Sequence, residues 1–128
     1  MEIKNMNTLR KLYTEIENKY DGMREEIGMD NWDDETFDVF RDEEDEYGYL
    51  KHITCDEIWG IIDYVTQNNN IYNIAFTFNG TDYKAKVNNE INSLKLLFVN
   101  MIWCLLELGE SVNLNGEDIR SINRRIEF

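Results

Sequence analysis

Ile71-Tyr72-Asn73-Ile74-Ala75-Phe76-Thr77-Phe78-Asn79-Gly80-Thr81-Asp82-Tyr83-Lys84-Ala85-Lys86-Val87-Asn88 reads as two β-strands and the turn that joins them. Both central positions of a tight two-residue hairpin turn need positive φ, and Asn-Gly is the pair that adopts it most readily. Placing the turn at Asn79-Gly80 sets the register of everything around it. Phe78 then faces Thr81, Phe76 faces Tyr83, Ile74 faces Ala85 and Tyr72 faces Val87, all on one side of the sheet. Asn73, Thr77, Asp82, Lys84 and Lys86 fall on the other side. A slip of one residue would invert both sets, so turn chemistry and alternation support the same pairing. The hairpin 71–78/81–88 therefore has one apolar face that helices must cover. This predicts an α+β fold.

The cover lies on both sides of the hairpin in sequence. Downstream, Asn88-Asn89-Glu90 can start a helix that runs over about 90–108 and stops at Gly109. Leu94, Leu97, Phe98, Met101, Ile102, Leu105 and Leu108 form one stripe on it, and Leu96, Val99, Trp103 and Leu106 form a second. A helix apolar around most of its circumference is a central core helix or an oligomer contact. Upstream, Thr54-Cys55-Asp56-Glu57 matches a capping box, and Ile58, Ile61, Ile62 and Val65 continue it as an apolar face over about 55–67.

Near the start of the chain, Met6, Leu9, Tyr13, Ile16, Tyr20, Met23 and Ile27 are spaced 3-4-3-4-3-4. They predict a helix over about 5–27, with Asp21-Gly22 as a point where it kinks or ends. Such a seam serves either a core-facing stripe or a helix pair between two copies, so a homodimer stays open. The tail from Val112 holds a second turn pair, Asn115-Gly116. Ile119, Ile122 and Ile126 fit a short C-terminal helix beside the basic cluster Arg120, Arg124 and Arg125.

Residues 28–54 differ in character. Thr36–Arg41 and Tyr47–Ile53 favour strands and flank Asp42-Glu43-Glu44-Asp45-Glu46. They suggest a second hairpin, 36–41/47–53, with an acidic tip; a short helix over Asp33–Glu43 is the rival. Five adjacent acids must be solvated or meet a cationic surface.

A chain of 128 residues that is 42% hydrophobic is the size of one domain, 1–128, and can bury a core without metal or disulfide help. Cys55 and Cys104 lie on separate predicted helices and read as reduced thiols of a cytoplasmic protein. Residues 2–5 do not lead into an apolar run, so no signal peptide is expected. Leu94–Leu108 is too short and too interrupted by Lys95, Asn100 and Glu107 to span a bilayer. The absence of proline and the abundance of Asn, Ile, Glu and Lys match AT-rich bacterial and phage genomes, which points to a bacterial host cell.

Motifs that carry chemistry are few. His52 is the single histidine, and Cys55 stands three residues away across a strand-to-helix corner, a separation that does not by itself make a nucleophile and base. One histidine and two distant cysteines are too few for a zinc site. Aligning Gly48 with the glycine of an EF-hand loop puts Tyr47 at the fifth position and Thr54 at the twelfth, where a glutamate is required. Neither Asn-Gly pair precedes a Lys-Ser/Thr phosphate-binding sequence. The expectation is a non-enzyme with no cofactor and no metal.

The charge is more informative. The chain carries 26 acids against 13 bases, a net charge of −13, which disfavours direct contact with nucleic acid or an anionic membrane. Thirteen of the acids fall within residues 21–46, opposed by Arg24 and Arg41 alone. A localised single-sign field steers a partner of opposite sign. Trp32 stands among Asp30, Asn31, Asp33 and Asp34, the composition of an interface anchor with a charged rim. An equally ordinary role for it is to close a core edge. The candidate partner-binding residues are therefore Asp30, Trp32, Asp33, Asp34, Glu35, Asp38, Asp42, Glu43, Glu44, Asp45 and Glu46.

In size, acidity and clustered carboxylates, chiefly Asp30–Glu46, the chain resembles the small acidic inhibitors of phages and mobile elements, including anti-CRISPR proteins and other DNA mimics. The resemblance covers about a fifth of the chain and includes no family motif. It implies a basic partner, such as a nuclease or another nucleic-acid-binding enzyme. Toxin-neutralising immunity proteins share the profile. A third alternative is an oligomeric assembly or ligand-sequestering protein, suggested by the seam at Met6–Ile27, the apolar helix at Leu94–Leu108 and the basic tail Arg120–Arg125.

Overall fold

The computed structural model describes residues 1–27, 46, 52–89 and 92–126. Among them the fold is α+β, with four helices on one face of a five-stranded mixed sheet. The strands are β1 (Glu2–Ile3), β2 (Ile71–Phe78), β3 (Thr81–Asn88), β4 (Val112–Leu114) and β5 (Glu117–Asp118), in the order β1-β3-β2-β4-β5. The helices are α1 (Met6–Ile27), α2 (Cys55–Val65), α3 (Asn92–Glu107) and α4 (Ile119–Arg125). The second hairpin expected at 36–41/47–53, and the rival helix at 33–43, lie outside the described residues apart from Glu46, His52 and Ile53.

The β2–β3 hairpin has the expected register, with Tyr72, Ile74, Phe76 and Phe78 opposite Val87, Ala85, Tyr83 and Thr81. Asn79 and Gly80 take φ values of 50° and 78°, as the turn requires. Asn115 and Gly116 repeat this geometry at 51° and 80°, and join β4 to β5. β4 pairs antiparallel with β2, setting Leu114 opposite Ile74 and Val112 opposite Phe76. β1 adds a short parallel edge to β3, with Glu2 opposite Lys84 and Ile3 opposite Ala85.

The covered face carries Tyr72, Ile74, Phe76, Phe78, Ala85, Val87, Val112 and Leu114, all buried. α3 lies over them at the centre. It packs against α1 and α2, which explains why two apolar stripes occur on one helix. Phe98, Val99, Met101, Ile102, Leu105 and Leu106 are all buried, while Leu96 faces solvent.

α1 continues through Asp21-Gly22 without ending. Its buried residues are Leu9, Leu12, Ile16 and Tyr20, so the stripe turns toward the core; Met6 is exposed and Met23 half-buried. Near the hairpin tip, the Lys19 ammonium donates to Asn79 Oδ1 at 2.7 Å and lies 5.4 Å from the centre of the Phe78 ring.

The capping box of α2 is formed. Thr54 Oγ1 accepts from the Glu57 N–H at 3.1 Å, and Glu57 Oε1 accepts from the Thr54 N–H at 3.3 Å. The second carboxylate oxygen of Glu57 accepts from Asn123 Nδ2 at 2.9 Å and ties α2 to α4. The other face of the sheet, with Asn73, Asp82, Lys84 and Lys86, is exposed.

Candidate functional site

The orientation of α1 against α3 sets the polarity of the molecule. Met6 and Leu9 share a pocket with Leu94 and Phe98, while the Tyr20 ring meets Trp103 at 5.9 Å between centres, tilted by 52°. The two helices therefore run parallel. α1 continues seven residues beyond Tyr20, about 10 Å at the helical rise.

Those last two turns carry Asp21, Glu25 and Glu26, all exposed. The first turn of α1 has no acid, and Arg10 and Lys11 follow it. This order opposes the helix macrodipole, which favours acids at the N-terminus and bases at the C-terminus.

Two contacts, one from α1 and one from the residues just before α2, reach the last turns of α3. On the upstream side, Tyr20 meets Trp103. On the downstream side, His52 Nδ1 lies 2.7 Å from Glu107 Oε1, one helical turn after Trp103. The His52 and Glu107 side chains are 11% and 6% exposed, so the pair is largely shielded from solvent. Nothing in the sequence marks Glu107 as the partner of His52, because the two are joined only by tertiary packing.

The candidate partner-binding residues Asp30, Trp32, Asp33, Asp34, Glu35, Asp38, Asp42, Glu43, Glu44 and Asp45 lie outside the described residues. Glu46, the last of the set, is exposed.

Around the His52–Glu107 pair, the chemistry favours neutral groups. Cys55 is half-buried and Cys104 buried, and both are free thiols. Burial, with the Asp56 and Glu107 charges added, pushes the Cys55 thiol up. Burial, together with the charges of Glu17 and Asp21, pushes Cys104 up to about 12. Burial and the Glu107 carboxylate raise Tyr20 to about 12. A thiol in this setting stays protonated at neutral pH and is a poor nucleophile. Among the described residues, no three His, Cys, Asp or Glu side chains gather in a way that would hold a metal ion.

Trp59 and Trp103 both pack against the core. The Lys95 ammonium lies 4.8 Å from the centre of the Trp59 ring and pairs with Asp63. Two shallow depressions, of about 490 and 330 Å³, flank Ala75 on the open sheet face. Lys84 borders both, with Asp82 at one and Glu2 at the other, so neither presents a single sign of charge.

No protein-family model matches the chain, and neither curated proteins nor solved structures match it. Among the described residues, no helix is long and apolar enough to cross a membrane.

Proposed function

We propose that the protein is a non-enzymatic inhibitor that binds and blocks a basic, nucleic-acid-binding protein surface through its acidic segment. The observation that carries this is the concentration of thirteen acids within residues 21–46, opposed by two arginines. That fifth of the chain carries a net −11 and the rest only −2, which a charge spread for solubility alone would not give. The exposed acids of α1 support the same assignment. Glu25 and Glu26 stand where the macrodipole makes carboxylates unfavourable, so helix stability does not account for them.

Carboxylates in such density imitate the phosphates of a nucleic acid strand, and the partner's basic surface supplies the counter-charge. This is the mode of the phage and mobile-element inhibitors that the chain resembles, and it places the protein in the cytoplasm of a bacterial host.

The test is capture of partners from a host lysate at low salt with elution by rising salt. Association kinetics then follow with the captured partner and a variant in which Asp42–Glu46 are neutralised to Asn and Gln. Slower association and a shallower salt dependence are expected. An unchanged association rate at low salt would remove the acidic segment from the mechanism.

A further inference from the structure

At the end of the molecule opposite the acidic turns of α1 there is a small pocket of about 140 Å³. It lies between the chain entering α1, the second half of β3 and the first turn of α3. Ile3, Leu9, Val87 and Phe98 form its floor, with Lys4 and Lys86 at its rim. Met6, exposed, and Leu94, half-buried, complete its mouth. Among the described residues no carboxylate lines it, although the chain has twice as many acids as bases. The first turns of α1 and α3 bring no acid either. β1 pairs with β3 only at Lys84 and Ala85, and β3 continues past that contact along the pocket.

The volume is well below the ~300–1,000 Å³ of sites that enclose a whole small molecule. It suits a single aliphatic side chain. The lysine rim then selects what flanks that side chain, because exposed ammonium groups beside an apolar floor favour carboxylates next to an apolar residue. We infer that this pocket docks an extended acidic peptide segment of a partner protein, with one aliphatic side chain on the floor and its neighbouring carboxylates on Lys4 and Lys86. A second copy of this chain is a poorer occupant, since two bodies of net charge −13 repel each other. The pocket lies at the other end of α1 from Asp21, Glu25 and Glu26 and gives the protein a contact of opposite sign.

The experiment is an amide-NMR titration of the full chain at low salt with the capped peptide Asp-Glu-Leu-Asp-Glu. Controls are the peptide with Gly in place of Leu, and the peptide with Lys in place of every acid. Saturable shifts at Lys4, Met6, Lys86, Val87 and Leu94 are expected with the first peptide only. The exposed-site variant Lys4→Glu/Lys86→Glu should weaken its binding by roughly tenfold or more while leaving the remaining spectrum in place.

The proposal is overturned if no saturable shift occurs at millimolar peptide, or if the lysine variant binds equally well. It is also overturned if the same residues shift with protein concentration alone, which would make the pocket a contact between copies. Neutralising Asp42–Glu46 should leave this peptide binding intact, so its failure is distinguishable from failure of the acidic-face assignment.

Discussion

His52 Nδ1 sits 2.7 Å from Glu107 Oε1, and the contact joins the residues leading into α2 to the last turn of α3. Both side chains are nearly buried. A carboxylate at the C-terminal end of a helix faces the negative end of the macrodipole, so Glu107 depends on donors from outside its own helix. His52→Ala should therefore destabilise the fold by about 1–3 kcal/mol, the cost of leaving a buried polar group short of a partner. His52→Gln, which keeps a donor, should lose less. Urea unfolding of the two variants measures the difference, and equal losses would show that the ring's packing matters more than its hydrogen bond.

Glycine should act in opposite directions at two positions. Gly80 holds a φ of 78°, and a Cβ there is strained although nothing lies within 4 Å of it. Gly80→Ala should cost about 1–2 kcal/mol, the penalty for left-handed backbone in an L-residue. Gly22 is inside α1 and exposed, and an added Cβ would also meet nothing within 4 Å. Gly22→Ala should stabilise by about 0.5–1 kcal/mol, because alanine loses less backbone entropy in a helix. Thermal melts of the pair should move apart in sign.

The two carboxylate oxygens of Glu57 serve separate elements, one capping α2 at Thr54 and one receiving Asn123 from α4. Thr54→Ala should cost about 1 kcal/mol as a lost cap. Glu57→Ala removes the cap partner and the bridge together and should cost more than Thr54→Ala. A double-mutant cycle of Glu57→Gln with Asn123→Ala should give a coupling energy of about 0.5–3 kcal/mol, since the two groups are in contact. Additivity would show that the contact contributes nothing of its own.

Stability should fall in alkali. Burial raises Cys104 from 9.0 to about 12, and raises Tyr13 and Tyr20 from 10.0 to about 12. For each group the folded state holds its proton at pH values where the unfolded chain has released it. The resulting stability is complete below about pH 9 and is lost as pH rises toward 12. Urea midpoints should be flat with respect to these groups up to pH 9 and then decline. Cys104→Ala should make the decline between pH 9 and 10 shallower, leaving Cys55 to contribute there before the tyrosines begin. Thiol labelling of the folded protein should be slow at both cysteines, with half-buried Cys55 ahead of Cys104.

Much of the architecture was legible because local signals agreed with one another. Asn79-Gly80 set the hairpin register, Thr54 and Glu57 started α2, and the apolar spacing located α1 and α3. β1, β4 and β5 were not legible. Each is two or three residues long, too short to show a period, and each exists through its neighbours: β1 through β3, and β4 through β2. The Asn115-Gly116 turn was visible, but strands as short as Val112–Leu114 and Glu117–Asp118 have no signature of their own. The same limit hid the Glu107 partner of His52 and the lysine-rimmed pocket. The pocket brings together Lys4, Lys86 and Leu94, which only the sheet and the parallel packing of α1 on α3 place side by side. Charge, by contrast, is a property of the sequence itself, so the acidic segment was apparent before any fold was known.

The acids at the end of α1 allow stability and binding to be separated. Glu25 and Glu26 stand in its last turn beside Arg24, facing the negative end of the macrodipole. Glu25→Lys/Glu26→Lys reverses them into the order that the dipole favours. The fold should gain about 0.3–1 kcal/mol per site at low ionic strength, read as a higher urea midpoint. If α1 contributes to the steering field, the same variant should associate more slowly with the basic partner, and added salt should narrow the gap. A stabilised protein that binds more slowly is hard to explain by damage to the fold. A stabilised protein with an unchanged association rate would confine the interaction to residues beyond Ile27.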